Sequence, residues 1–249
     1  MGRIAVVVSG NGLGHFTRVV NFLAVLMASS DVRADVFSAP WQRERLRTWP
    51  RLAGLEGTDR VRFRDLESHV VWSSDPAYFR DPELLRWHEG LAELSLRDYD
   101  LVVSDNLVEP LAYREDTVLM GSFLWHDVYL ASQPEMRIVR EYHEFCASLL
   151  SRHRPPMVGN RHFSMPAVAA EADLVPVGMM ESGKVSPEKE PDGALGILLY
   201  GGSSPQVSCE LLRLLQRGVT GAEGLGEIVF FGDRGACRMA ASDGAGHPT

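Results

Sequence analysis

Cysteine is scarce. The 249 residues hold only Cys146, Cys209 and Cys237, far apart and without C-x-x-C spacing. That argues against a disulfide framework and a thiolate zinc site and fits a reducing cytosol, so a cytoplasmic location is expected. Positive charge is also short, with 25 Lys and Arg against 33 Asp and Glu and a formal charge of -8. Nucleic acid and anionic membrane surfaces need a cationic field, so neither is an expected partner. No run approaches the roughly 20 apolar residues of a spanning helix. The five apolar residues before the first glycine loop are too few for a signal-peptide core. Met1-Gly2 opens like a myristoylation site, but Val6 stands where Ser or Thr is needed. Contact of a surface face with a membrane, for a lipid-like substrate, stays open.

What is present suits a globular α/β protein. Apolar residues make up 45% of the chain, enough for a sizeable core at this length. The organising stretch is Arg3 to Met27, RIAVVVSGNGLGHFTRVVNFLAVLM. Ile4 to Val8 is a β-branched run, Ser9 to Gly14 a glycine-rich turn, and Phe16, Val19, Val20, Leu23, Leu26 and Met27 recur at helical spacing. Strand, tight loop and helix follow in that order. Backbone amides are left open at the helix N-terminus, and His15 sits at the junction.

Further strands are expected over Arg33 to Ser38, Val61 to Leu66, His69 to Trp72, Asp100 to Ser104 and Thr117 to Gly121. Trp41 to Leu52 reads as a short helix, and Asp81-Pro82 opens another through Leu94. Pro134 to Leu150 is a long amphipathic helix, while Met157 to Met180 reads as apolar pieces broken by Pro166 and Pro176. ESGKVSPEKEPDG, from Glu181, is charged and turn-rich and reads as a linker. The expected organisation is a doubly wound Rossmann-like domain at 1–180, a linker at 181–194 and a second α/β domain at 195–249. The second begins with a strand at Leu195 to Tyr200, the turn Gly201-Gly202-Ser203-Ser204, a helix from Pro205 and a strand at Glu227 to Phe231. Two strands and one helix cannot cover a parallel sheet on both faces, so this domain is expected to be incomplete and the chain truncated.

Two familiar motifs fail on inspection. Gly10, Gly12 and Gly14 approach the dinucleotide fingerprint, but His15 occupies the third glycine position. Gly178 to Lys184 imitates a phosphate loop, but Val185 replaces its Ser or Thr and Ser186-Pro187 stops the helix. Two other groupings carry more chemistry. His15 at the exit of the first strand and Asp105 at the end of a later one would share the carboxyl edge of a doubly wound sheet, where ligands bind. A carboxylate beside a histidine fixes its tautomer and makes it a general base; the alternative is a helix cap and a turn with Asn106. Arg18, near its helix start, hints at an anionic partner or an ion pair with a neighbouring acid. Trp125, His126 and Asp127 follow a strand and suit a sugar or acceptor wall, with His126 in reserve as a base. Ser204 as N-cap and Pro205 at the first helical position leave free amides beside Gly201, Gly202 and Ser203, a setting for a diphosphate.

SGNGLGHFTR followed by an apolar helix resembles the G-x-G-H-x-x-R opening of GT-B glycosyltransferases, in particular the MurG-like and UDP-glucuronosyltransferase-like groups. LLYGGSSP looks like the start of their donor-binding domain, and FLWHDV fits their acceptor-side loops more loosely. The resemblance implies an α/β GT-B fold and transfer of a sugar from a nucleotide diphosphate sugar, UDP-linked, to a hydroxyl of a small-molecule or lipid-linked acceptor. It implies His15 as base and Asp105 as its partner. Gly12, Gly14, Arg18, Trp125, His126 and Asp127 fall on the acceptor side, and Gly201, Gly202, Ser203 and Ser204 on the donor diphosphate. No cofactor and no metal are implied. The family's later His-x-Gly loop and its acids have no counterpart here, so this chain is expected to be cut short and of doubtful turnover. Two other readings stay open: a sugar-nucleotide hydrolase or epimerase on the same fold, and a non-catalytic acceptor-side module completed by a partner subunit.

Overall fold

A computed structural model of the chain describes residues 2–66, 68, 82–161, 164–178, 199–200 and 230–231. The chain divides into two compact units, Met1–Ser182 and Gly183–Thr249.

The first unit is built on seven parallel strands: β1 (Gly2–Val8), β2 (Val32–Ser38), β3 (Val61–Asp65), β4 (Leu101–Asp105), β5 (Val118–Met120), β6 (Pro156–Asn160) and β7 (Asp173–Val177). Their spatial order is β3-β2-β1-β4-β5-β6-β7. The chain therefore winds outward from β1 in one direction, crosses back to β4 and winds outward in the other. The reversal between β1 and β4 is the switch point of a doubly wound sheet, where the connections on either side part and leave a crevice. Register sets the two strands level there, with Val8 opposite Asp105.

The apolar runs follow from burial on both faces. Ile4, Val6 and Val8 enter one core with α1 (Leu13–Ser29) and α3 (Pro50–Glu56), where Phe16, Val19, Val20, Leu23, Leu52 and Leu55 are buried. Ala5 and Val7, alternating with them, enter a core on the opposite face with Leu91, Leu96, Tyr99 and Val102. A third core lies beyond β5, where α4 (Trp125–Ser132), α5 (Arg137–His153) and α6 (Pro166–Glu171) pack Tyr129, Val139, Tyr142, Leu149 and Val168 together.

Several expectations need revision. The single helix read over Trp41 to Leu52 is two, α2 (Pro40–Arg45) and α3, each opening on a proline at its first turn. Pro82–Leu94 is helical but wound as a 3₁₀ segment. At three residues per turn His88, Leu91 and Leu94 align on one seam, with Leu91 fully buried and His88 stacked on Phe145. Gly90 in its interior weakens the α alternative. The prolines read as breaks have regular places: Pro166 starts α6, and Pro176 sits in β7, the sheet's edge strand, where a missing N–H is tolerated. α4 is not among the expected elements: Trp125, Val128 and Tyr129 stand at helical spacing, but eight residues are too few for that spacing to repeat.

In the second unit, Leu199–Tyr200 and Phe230–Phe231 form a parallel pair, β8 and β9, with Leu199 opposite Phe230. The expected strand at His69 to Trp72, the linker at 181–194, the turn at Gly201 to Ser204 and the helix after it lie outside the described residues.

Candidate active site

The glycine loop leaves β1 at the switch point. Gly12 has φ of 87°, a left-handed conformation that a side chain resists, and it enters α1 with no side chain capping the helix. Among the described residues, no side chain meets the first amides of α1. The loop is braced from beneath by Gln42, which is wholly buried and donates through Nε2 to the carbonyls of Ser9 and Gly12, at 2.8 Å each. Gly10 N–H donates to Ser68 Oγ at 2.7 Å. A Cβ on Gly14 would meet nothing within 4 Å, so the face of the loop beside His15 is open among the described residues.

His15 and Asp105 are brought together. His15 Nδ1 lies 2.6 Å from Asp105 Oδ1. A carboxylate only accepts, so this ring nitrogen carries the proton, and in the neutral ring Nε2 then has the lone pair. Asp105 is fully buried. Arg18 closes on the same carboxylate, Nε donating to Oδ2 and Nη2 to Oδ1, both at 2.7 Å. Burial pushes the Asp105 carboxyl upward, but the charges of Arg18 and His15 and their hydrogen bonds outweigh it and hold the group below the usual carboxylate range. The ion-pair alternative allowed for Arg18 is thus what the guanidinium makes. Its Nη2 also lies 3.2 Å from His15 Nδ1, two donors sharing one oxygen.

An aromatic wall flanks His15. Phe123 and Trp125 lie with ring centroids 6.1 and 6.0 Å from the imidazole, and Trp125 stacks on Tyr129 at 5.6 Å. Two buried polar groups beside these residues have no partner among the described residues: the indole N–H of Trp125 and the whole side-chain amide of Asn106. Asn106 follows Asp105 with a left-handed φ of 59°. It lies so close to Gly121, at the end of β5, that a Cβ there would stand 1.6 Å from Asn106 Oδ1.

His126 and Asp127 turn elsewhere. One residue beyond Trp125, His126 is buried to 1% and its Nε2 lies 3.2 Å from Glu171 Oε2, while Asp127 Oδ1 lies 3.2 Å from His143 Nε2. Their recorded partners are on α5 and α6. The sequence reading missed Gln42, a polar letter in a charged stretch, and Asn106 as a bare amide. Burial supplies both signals, and burial appears only with the fold.

No protein-family model and no curated protein matches the chain. Solved structures match it in fold. LpCGTa in complex with UDP aligns with a TM-score of 0.56 at 16% identity, over 93% of this chain and 71% of that one. UGT2 of Phytolacca americana, complexed with UDP-2fluoro-glucose and pterostilbene, aligns at 0.51 and 14%, over 88% of this chain and 64% of that one. UGT89C1 of Arabidopsis thaliana complexed with UDP gives 0.53 and 13%, over 93% and 70%. At such identities the likeness is one of fold: this is the α/β architecture of GT-B glycosyltransferases.

Proposed function

We propose that the chain transfers a sugar from a nucleotide diphosphate sugar, UDP-linked, to a hydroxyl of a small or lipid-linked acceptor. The observation that carries the reading is the buried Asp105 carboxylate 2.6 Å from His15 Nδ1 at the switch point of the sheet. Two of the fold neighbours hold UDP and a third holds a UDP-sugar with a second molecule, pterostilbene, which favours the same donor class here.

In the proposed reaction the acceptor O–H meets His15 Nε2. As the oxygen forms its bond to the anomeric carbon, the proton passes to Nε2, and the bond from that carbon to the diphosphate oxygen breaks with its electron pair leaving on UDP. Attack from the face opposite the leaving group inverts the anomeric centre. Asp105, kept ionised by Arg18, stabilises the imidazolium that forms. Gly12 and Gly14 leave room for the acceptor, and Trp125 supplies an apolar face on which it packs. Gly201, Gly202, Ser203 and Ser204 are the proposed diphosphate contacts, their amides offsetting charge on the departing group. Arg18 acts through Asp105 as a positioning residue. His126 and Asp127 do not belong to this wall, since their nearest partners, Glu171 and His143, are on other helices.

Incubating the full chain with UDP-glucose, with and without a panel of phenolic and lipid alcohols, tests the reading. UDP release that depends on an acceptor, with a glycosylated product, supports it. UDP release with free sugar and no acceptor dependence would instead establish a hydrolase.

A further inference from the structure

A second cluster of ionisable groups stands apart from the proposed base. His126 and Asp127 sit in the first turn of α4, His143 in α5 and Glu171 at the end of α6. His126 Nε2 lies 3.2 Å from Glu171 Oε2 and 3.7 Å from Asp127 Oδ1, and Asp127 Oδ1 lies 3.2 Å from His143 Nε2. One donor atom from each of His126, Asp127 and His143 falls within 4.8 Å of the others. We propose that these four side chains form a zinc site of mixed imidazole and carboxylate ligands that pins α4 to α5 and α6.

The distances suit the ion. Four ligands at zinc's usual 2.0–2.1 Å in tetrahedral array stand about 3.3 Å from one another; three of the six pairs here stand 3.2, 3.2 and 3.7 Å apart, His126, Asp127 and His143 all lie within 4.8 Å of one another, and Glu171 joins the set through its contact with His126. The charge suits it as well. Two carboxylates and two neutral imidazoles present two negative charges to a dication. As a purely hydrogen-bonded group, each ring must carry its proton on Nε2 to meet a carboxylate. That leaves His126 Nδ1 and Asp127 Oδ2 buried as acceptors with no donor among the described residues. Entry is available from one side, since Asp127, His143 and Glu171 keep 22%, 27% and 27% of their side chains exposed, while His126 forms the floor at 1%. With four protein ligands the site is closed and structural. What it anchors is the turn that also carries Trp125, 6.0 Å from His15.

The test takes the full chain, stripped with a chelator and titrated with zinc by calorimetry and with cobalt by visible absorption. One equivalent of zinc per chain, a raised Tm, and a tetrahedral cobalt spectrum without a thiolate charge-transfer band are expected. The last feature separates these nitrogen and oxygen ligands from Cys209 or Cys237. His143→Ala and Asp127→Asn, both on the open side, should each weaken binding at least about tenfold, while His153→Ala, at the far end of α5, leaves it unchanged. Absence of stoichiometric binding, a thiolate band, or unaltered affinity in both ligand variants overturns the proposal. None of these readouts depends on sugar transfer.

Discussion

Arg18 grips both carboxylate oxygens of Asp105, at 2.7 Å each, from one turn along the helix that carries His15. The acid lies beneath a side chain that itself keeps only 21% exposure, so removing the guanidinium leaves a buried carboxylate with a histidine alone. Arg18→Met should destabilise the first unit by about 3–5 kcal/mol, read as a lowered urea midpoint. If the midpoint moves by less than a kcal/mol equivalent, Asp105 is not held by this pair.

Under the proposed reaction, His15→Ala and Asp105→Asn should each lower kcat by on the order of 10²–10⁴-fold, with a smaller change in acceptor KM. Asn keeps the volume of Asp105 but cannot hold the imidazolium. The two changes act on one proton transfer, so the double variant should be scarcely slower than the worse single one. A multiplicative loss in the double variant would mean that the two residues work separately.

Acid stability should report Asp105 directly. Its folded pKa lies below the unfolded value, so its ion pairs contribute in full above the ordinary aspartate range, near ~3.9. The contribution falls away as pH drops through that range toward the folded value. Asp105→Asn should flatten the loss of unfolding free energy below about pH 4 while costing stability at neutral pH. Parallel curves for the two proteins would exclude this origin.

Gly121 and Asn106 should be coupled. A methyl group at 121 overlaps Asn106 Oδ1 and forces the amide and its left-handed backbone to move. Gly121→Ala is expected to cost about 1–3 kcal/mol. Asn106→Gly removes the obstructing side chain and tolerates the same φ, so the double variant should recover the part of that loss due to the clash and keep the part due to the φ of 156° at residue 121. A purely additive pair would place the strain elsewhere.

Much of the N-terminal unit was legible because its signals are local. The run from Ile4 to Val8, the glycine turn and the helical period from Phe16 to Met27 each fit within one element, and β1, α1, β2, β4, β5 and α5 follow such patterns. His15 and Asp105 were legible as a pair because one opens the helix that follows β1 and the other closes β4, neighbouring strands of one sheet, a topological fact that strand order decides. What was not legible depends on packing. Pro176 looks like a breaker until β7 is seen to be an edge, and Gln42 is one polar residue among charged ones until its amide is found under the loop. His126 and Asp127 adjoin an aromatic wall in sequence, yet the helical rotation of about 100° per residue carries their partners to α5 and α6.

The hydrogen bond between His15 and Asp105 spans 90 residues of chain, and its ends, one at the start of α1 and one at the end of β4, meet only when β4 docks against β1. Local structure cannot assemble it: β1, α1 and β2 can form with Asp105 still distant, and closing so long a loop is slow. During refolding, helical signal should return ahead of any dependence on this pair, which makes the pair a clock for completion of the sheet. A fragment that stops short of β4 would keep the glycine loop and its helix yet lack the buried acid, with nothing to orient the imidazole.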